Sequence, residues 1–94
     1  MYRTDLFEAA GLTMPEQPTY AQIAEFAAAL TDKSKEQYGI CLRGKPGWGE
    51  NMAFFGTLVN TNGGIWFDEN WVPQLDQKPW SDALAYYLDV MTNY

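Results

Sequence analysis

The segment 43–51, with the sequence RGKPGWGEN, constrains the fold more than any other part of the chain. It holds three glycines and one proline within nine residues. Glycine permits positive φ, whereas proline fixes its own φ and lacks an N–H, so this density predicts a loop. The apolar run before it, residues 38–42, is typical of a short strand, and the run after it, residues 51–60, is typical of a helix. The chain is therefore predicted to pass from strand to helix through an irregular segment.

The composition of this loop favours recognition of a small polyhydroxylated ligand. Trp48 stands among Arg43, Glu50 and Asn51, and its glycine neighbours leave room for a ligand to approach the backbone. An aromatic face packs on C–H groups, while guanidinium, carboxylate and amide groups form hydrogen bonds with hydroxyls. Two structural alternatives stay open. Trp48 could fold back onto the core, and Asn51 could cap the helix that follows.

Caps and apolar periodicity mark the helices of the N-terminal half. Residues 3–10 predict a short helix that ends at Gly11. Two prolines make residues 13–18 an extended linker. Thr19 and Gln22 have the spacing of a capping box, which predicts the start of a second helix. The face of this helix that is expected to be buried consists of Ile23, Phe26, Ala27 and Leu30.

The C-terminal half predicts two more helices on either side of a small irregular hairpin. Residues 51–60 form the third helix, which an Asn-Gly-Gly sequence ends. Residues 65–68 and 71–75 are the two arms of the hairpin. The last helix begins at Asp76 or Lys78, followed by a proline in its first turn. Its predicted buried face consists of Trp80, Ala83, Leu84, Tyr87, Leu88 and Met91.

These elements predict a mainly helical α/β fragment with about four helices, one short strand and a small irregular hairpin. A chain of 94 residues makes at most one small domain. A single strand over residues 38–42 needs partners, because unpaired backbone groups are costly when buried. Either a second copy or residues outside this chain supply them. The isolated chain is therefore expected to associate with itself, with a symmetric dimer as the default form.

Charge and residue usage exclude several functions. The net charge of −6 argues against nucleic acid as a partner, because nucleic-acid binders carry a basic face. The chain has no histidine, which removes the common zinc sites and the Ser-His-Asp triad, and neither a metal nor a cofactor is predicted. Cys41 is the one cysteine and is expected to be a buried small hydrophobic residue. From the sequence we expect neither a membrane-spanning stretch nor a signal peptide in these 94 residues.

Several motifs in order carry a family resemblance. They are YRTDLFEAAGL (2–12), PTY (18–20), a helix that ends in LTD (30–32), YGI (38–40), NGG (62–64) and LDQKPW (75–80). Together they resemble the extracellular solute-binding proteins of bacterial ABC sugar importers, over all 94 residues. The segment LRGKPGWGENMA (42–53) is similar to the branch that serves sugar alcohols such as mannitol and sorbitol.

The resemblance implies a two-lobed α/β protein several times longer than this chain. Ligand is trapped between the lobes without chemistry, and the closed protein docks on the membrane subunits of an ABC permease, in the periplasm or outside the cell. Residues 1–94 would form a single partial domain, the first part of the second lobe. Ligand binding by this chain alone is then expected to be weak or absent, because the other lobe supplies many of the contacts.

The resemblance also implies which residues face the ligand. They are Arg43, Trp48, Glu50 and Asn51 around the loop, Tyr2 near the cleft, and Trp66. Trp48 would stack on the ligand, and Glu50 and Arg43 would form hydrogen bonds with its hydroxyls. Trp66 could equally be packed beneath the hairpin. The two other tryptophans, Trp71 and Trp80, are expected to be structural.

A carbohydrate-active enzyme is the rival class of function. Glu50 and Asp68 could flank a glycosidic bond as a pair of carboxylates. Neither residue has an obvious apolar pocket that would raise the pKa of its carboxyl group, as a general acid requires, and no family resemblance points to an enzyme. We therefore expect no enzymatic activity.

Overall fold

A computed structural model describes all residues, Met1–Tyr94, and contains four α-helices. They are α1 (Thr4–Ala9), α2 (Tyr20–Leu30), α3 (Asn51–Thr61) and α4 (Lys78–Asn93). A 3₁₀ turn, Lys33–Lys35, follows α2. The chain divides into two compact units: Met1–Cys41 with Thr92–Tyr94, and Leu42–Met91. The predicted fold class is confirmed, since the chain is mainly helical with four helices. None of these helices is long and apolar enough to cross a membrane.

In the first unit, α1 ends in the predicted glycine motif. Gly11 has a φ of +66°, a left-handed conformation that glycine adopts without steric cost. Its N–H donates to the Glu8 carbonyl at 3.1 Å, and the Leu12 N–H donates to the Phe7 carbonyl at 2.8 Å. These two bonds form a Schellman motif, which satisfies carbonyl groups that the helix leaves without partners.

The capping box of α2 is also as predicted. The Thr19 hydroxyl oxygen accepts from the Gln22 backbone N–H at 3.2 Å, and the Gln22 side-chain oxygen accepts from the Thr19 N–H at 2.9 Å. On the apolar face, Ala27 and Leu30 are buried, whereas Ile23 and Phe26 are half-buried. The Phe26 ring meets Phe7 of α1 edge-on at 5.2 Å between centroids.

The predicted strand over residues 38–42 is not formed. This stretch has no ladder, and the isolated bridges of the chain pair Asp32 with Gln37 and Phe67 with Pro73. A strand needs a partner for its backbone groups, and this chain supplies none here. The prediction that Cys41 is buried is wrong for the same reason, because the side chain is exposed where no sheet covers it.

In the second unit, α4 packs on α3 with a narrower face than predicted. Phe55 of α3 lies 5.9 Å from Trp80 and 6.2 Å from Tyr87 between ring centroids. The buried side chains of α4 are Trp80, Ala83, Tyr87 and Val90. The predicted members Leu84, Leu88 and Met91 are exposed. The helix buries one stripe, at i, i+3, i+7 and i+10, and the neighbouring apolar stripe stays in solvent.

The hairpin between α3 and α4 is reduced to a single bridge, between Phe67 and Pro73. Trp80 is structural as predicted, because it is buried and its indole N–H donates to the Ile65 carbonyl at 3.0 Å. Trp71 is not buried in this way. It adopts a φ of +62° and is 79% exposed, since so small a hairpin has no second layer to cover it.

Candidate ligand site

The loop between Leu42 and α3 folds back onto the start of that helix. The Gly47 carbonyl accepts from the N–H groups of Glu50 at 3.2 Å and Met52 at 3.3 Å. The Lys45 carbonyl accepts from the Asn51 N–H at 3.3 Å. The first N–H groups of α3, which have no partner within the helix, are thus bound by the loop's own carbonyls.

Trp48 projects from this loop and does not fold back onto the core. Its side chain is 78% exposed, and its ring lies 6.2 Å from that of Trp66 at an angle of 47°. Trp66 is half-buried and meets the buried Trp80 edge-on, at 4.6 Å between centroids and 81° between planes. Trp66 is therefore packed on the core of its unit and also lies next to Trp48, while its contact with a ligand stays a prediction.

The two indoles border a groove along one face of α3. The groove has a volume of about 340 Å³ and is lined by Trp48, Gly49, Met52, Ala53, Gly56, Thr57, Asn60 and Trp66. The small residues Ala53, Gly56 and Thr57 form its helical wall. A Cβ added at Gly56 would stand 3.8 Å from Trp66. Aromatic faces beside hydroxyl and amide groups suit an elongated hydroxylated molecule.

Sequence reasoning missed the helical wall of this groove. Ala53, Gly56, Thr57 and Asn60 recur at i, i+3, i+4 and i+7, so they share one face of α3. This spacing of small and polar residues was a detectable signal. The apolar residues of α3 lie on its core side, where Leu58 and Val59 are fully buried.

Arg43 and Asn51 both bind the backbone of the loop. The Arg43 guanidinium donates through Nη1 to the Gly49 carbonyl at 2.8 Å. The Asn51 side-chain oxygen accepts from the Gly47 N–H at 3.3 Å. Asn51 is the first residue of α3, and the N-cap position belongs to Glu50, so the alternative of Asn51 as the cap is wrong.

Glu50 and Tyr2 lie in different settings. Glu50 is half-buried at the N-cap of α3, and its side chain makes no capping hydrogen bond. Tyr2 belongs to the first unit, where its ring packs on Phe7 at 4.8 Å between centroids. It lines a cavity of about 350 Å³ with mostly apolar walls, including Phe26 and Leu30. Such walls offer few groups to pair with hydroxyls, and Tyr2 is not among the residues that line the α3 groove.

Asp68, the second carboxylate of the enzyme alternative, is engaged in its own turn. One oxygen accepts from the N–H groups of Asn70 at 2.8 Å and Val72 at 2.9 Å. The other accepts from the Gln74 side chain at 3.3 Å. Asp68 is therefore a structural residue of the hairpin.

Comparisons with known proteins agree on one family. The model of the bacterial extracellular solute-binding proteins matches residues 1–93. A mannitol-binding protein from Pseudomonas aeruginosa is 56% identical over 93 residues, which cover 99% of this chain and 21% of that protein.

Two crystal structures resemble the chain over 98% of its length and over 22% of their own. One is an ABC transporter solute-binding protein from Agrobacterium vitis S4 with bound D-mannitol, at 59% identity and a TM-score of 0.93. The other comes from Agrobacterium radiobacter K84 in complex with ribitol, at 33% identity and a TM-score of 0.80. This chain spans about a fifth of the length of these relatives. On the family match and these identities together, the chain belongs to the family of bacterial extracellular solute-binding proteins.

Proposed function

We propose that this chain is part of the substrate-binding component of an ABC transporter for sugar alcohols. The observation that carries the proposal is the exposed Trp48, which borders a groove with Trp66. Support for the ligand class comes from relatives: one is named for mannitol binding, one holds D-mannitol and one holds ribitol. Capture without chemistry follows, because these relatives are described as binding proteins.

We propose that Trp48 stacks on the C–H face of the sugar alcohol. The carboxylate of Glu50 and the N–H groups of Arg43 form hydrogen bonds with its hydroxyls. Asn51 and Trp66 complete the proposed set of ligand contacts. An acyclic polyol presents C–H groups on one side and hydroxyls on its edges, so it needs both kinds of partner.

The proposed mechanism places residues 1–94 in the second of two lobes. The other lobe contributes the remaining contacts, and the ligand stabilises the closed form because it binds that form more tightly. The closed protein docks on the permease in the periplasm or at the outer cell surface. The isolated chain, with its apolar stripe on α4 exposed, associates with itself and binds ligand weakly or not at all.

The test is titration calorimetry on a chimera. Residues 1–93 replace the matching segment of the Pseudomonas aeruginosa mannitol-binding protein, and mannitol is titrated into the chimera and into this chain alone. We expect the chimera to bind mannitol. Trp48→Ala should weaken binding about 10-fold or more, since the bound ligand covers this ring, and truncation of a tryptophan that is buried on binding removes a large share of binding energy.

Trp71→Ala is the matched control. Trp71 is exposed to the same degree as Trp48, at 79% against 78%, but does not line the groove. It should leave the affinity unchanged. A chimera that folds without binding mannitol, ribitol or sorbitol would overturn the ligand class, and equal losses from the two tryptophan variants would overturn the site.

A further inference from the structure

The side chain of Trp48 is mostly exposed, so packing against the core does not fix its position. It is 78% exposed and meets Trp66 at 6.2 Å between centroids. An exposed side chain keeps one position only if the backbone that carries it is held. For Trp48 that backbone runs through Gly47 and Gly49, two residues with no side chain to pack.

The backbone on both sides of Trp48 is held by polar side chains. On one side the Gly47 N–H donates to the Asn51 side-chain oxygen at 3.3 Å. On the other side the Gly49 carbonyl accepts from Arg43 Nη1 at 2.8 Å. The second bond has a charged donor and the shorter distance, so it is the stronger of the two.

Arg43 is in turn fixed to the core of its unit. Its carbonyl accepts from the Tyr87 hydroxyl at 2.7 Å. Tyr87 lies on α4, is 9% exposed, and has ring centroids of Phe54 and Phe55 each 6.2 Å away. A buried tyrosine therefore sets where the Arg43 backbone lies, and the Arg43 side chain sets where Gly49 lies.

We propose that Arg43 and Tyr87 are positioning residues that hold Trp48 beside the groove. Tyr87 does not line the groove, so its influence on ligand binding passes through Arg43 and Gly49. The effect on affinity rests on the proposed function. The effect on the position of the Trp48 ring does not depend on the proposed function. A failure of the positioning role can therefore be told apart from a failure of the proposed function.

The first test needs no ligand. The 94-residue chain is labelled with 5-fluorotryptophan, and the fluorine resonance of Trp48 is assigned from the Trp48→Phe spectrum. Tyr87→Phe removes the hydroxyl and keeps the aromatic ring. Arg43→Met removes the guanidinium N–H donors and keeps the aliphatic part of the side chain. Both should shift or broaden the Trp48 resonance and leave that of the buried Trp80 in place. Arg43→Lys, which keeps a donor, should restore part of the wild-type signal.

Tyr38→Phe is the control, because it removes a hydroxyl from an exposed residue of the other unit. Circular dichroism should show the same helix content in every variant. A Trp48 resonance that stays unchanged in both Tyr87→Phe and Arg43→Met would overturn the proposal, whether or not mannitol binds.

The second test measures mannitol affinity in the chimera. Tyr87→Phe and Arg43→Met should each raise the Kd about 3- to 10-fold, as expected for one lost hydrogen bond. In a Trp48→Ala background Tyr87→Phe should have no further effect, whereas Arg43→Met should keep only the loss of its own proposed contact with the ligand. A Tyr87→Phe effect in that background as large as in the wild type would overturn the positioning role. If the background binds too weakly to measure, the fluorine spectra alone decide.

Discussion

Gly39 is the glycine with the least room for a side chain. A Cβ added there would stand 1.9 Å from the Ala27 carbonyl oxygen and 2.6 Å from two further backbone atoms of Ala27. These atoms belong to α2 and cannot withdraw without distorting its hydrogen-bond ladder. The Gly39 N–H also donates to the Thr31 hydroxyl at 3.0 Å, so the segment after α2 is held against the end of that helix.

Gly39→Ala should therefore destabilise the chain by about 2 kcal/mol or more, as overpacking against fixed atoms does. Urea denaturation followed by circular dichroism measures the change. Gly49→Ala is the matched control, since nothing lies within 4 Å of its added Cβ. Equal midpoints for the two variants would show that the segment carrying Gly39 can move away from α2.

Among the helices, α4 buries a face that differs most from the one that its apolar periodicity predicts. Its apolar residues cover more of the helix than one neighbour can bury, so two stripes lie side by side. The stripe with Tyr87 and Val90 packs inside the unit, whereas Leu84, Leu88 and Met91 are 47%, 51% and 40% exposed. An exposed apolar stripe of this kind is a surface for association.

Two substitutions on α4 compare the buried stripe with the exposed stripe by their effect on the free energy of unfolding. Val90→Ala should cost about 2 kcal/mol, because it deletes fully buried methyl groups. Leu84→Ala should change the free energy of unfolding by less than about 0.5 kcal/mol. Thermal unfolding at low protein concentration compares the two. A larger loss at Leu84 would contradict the assignment of the buried face.

A substitution on the exposed stripe of α4 tests the proposed self-association. Sedimentation equilibrium should give a mass above that of one chain, and Leu84→Glu should return it to that of a monomer, because a charge on the stripe opposes its burial. Ala29→Glu, which adds the same charge at an exposed position of α2, serves as the control. A monomeric wild-type chain would refute the association.

At the scale of the whole molecule, the chain is acidic and carries few ion pairs. Arg3 binds Asp5 at 2.8 and 2.6 Å and holds the pKa of that carboxyl at about 2. Lys35, with help from Ser34, lowers the pKa of Asp32 to about 2 in the same way. In both cases the folded state favours the charged carboxylate more than the unfolded chain does, whose ordinary value is 3.8.

Stability contributed by these two groups is therefore present above about pH 4 and lost as the pH falls towards 2. Lys35→Met removes the main cause of the shift at Asp32. The fall in Tm between pH 5 and pH 2 should be smaller in this variant than in the wild type. Lys35 is exposed and Asp32 is only half-buried, so the difference should amount to a few degrees or less. An unchanged difference would mean that the Asp32–Lys35 pair does not persist in solution.

The sequence by itself determined the features that depend on neighbours along the chain. The glycine end of α1, the capping box of α2 and the Asn-Gly-Gly end of α3 are set by hydrogen bonds that span a few residues. The loop at 43–51 follows from glycine and proline in the same way. The family resemblance, now confirmed, also rests on the order of such motifs.

Tertiary structure alone decided which groups meet across the fold. It left residues 38–42 without a partner strand, buried one of two apolar stripes on α4, and exposed Trp71. In the loop it directed the polar side chains of Arg43 and Asn51 to backbone atoms beside Trp48. Composition shows that a guanidinium or an amide can form hydrogen bonds, but only the positions of all nearby donors and acceptors decide which partner each one takes.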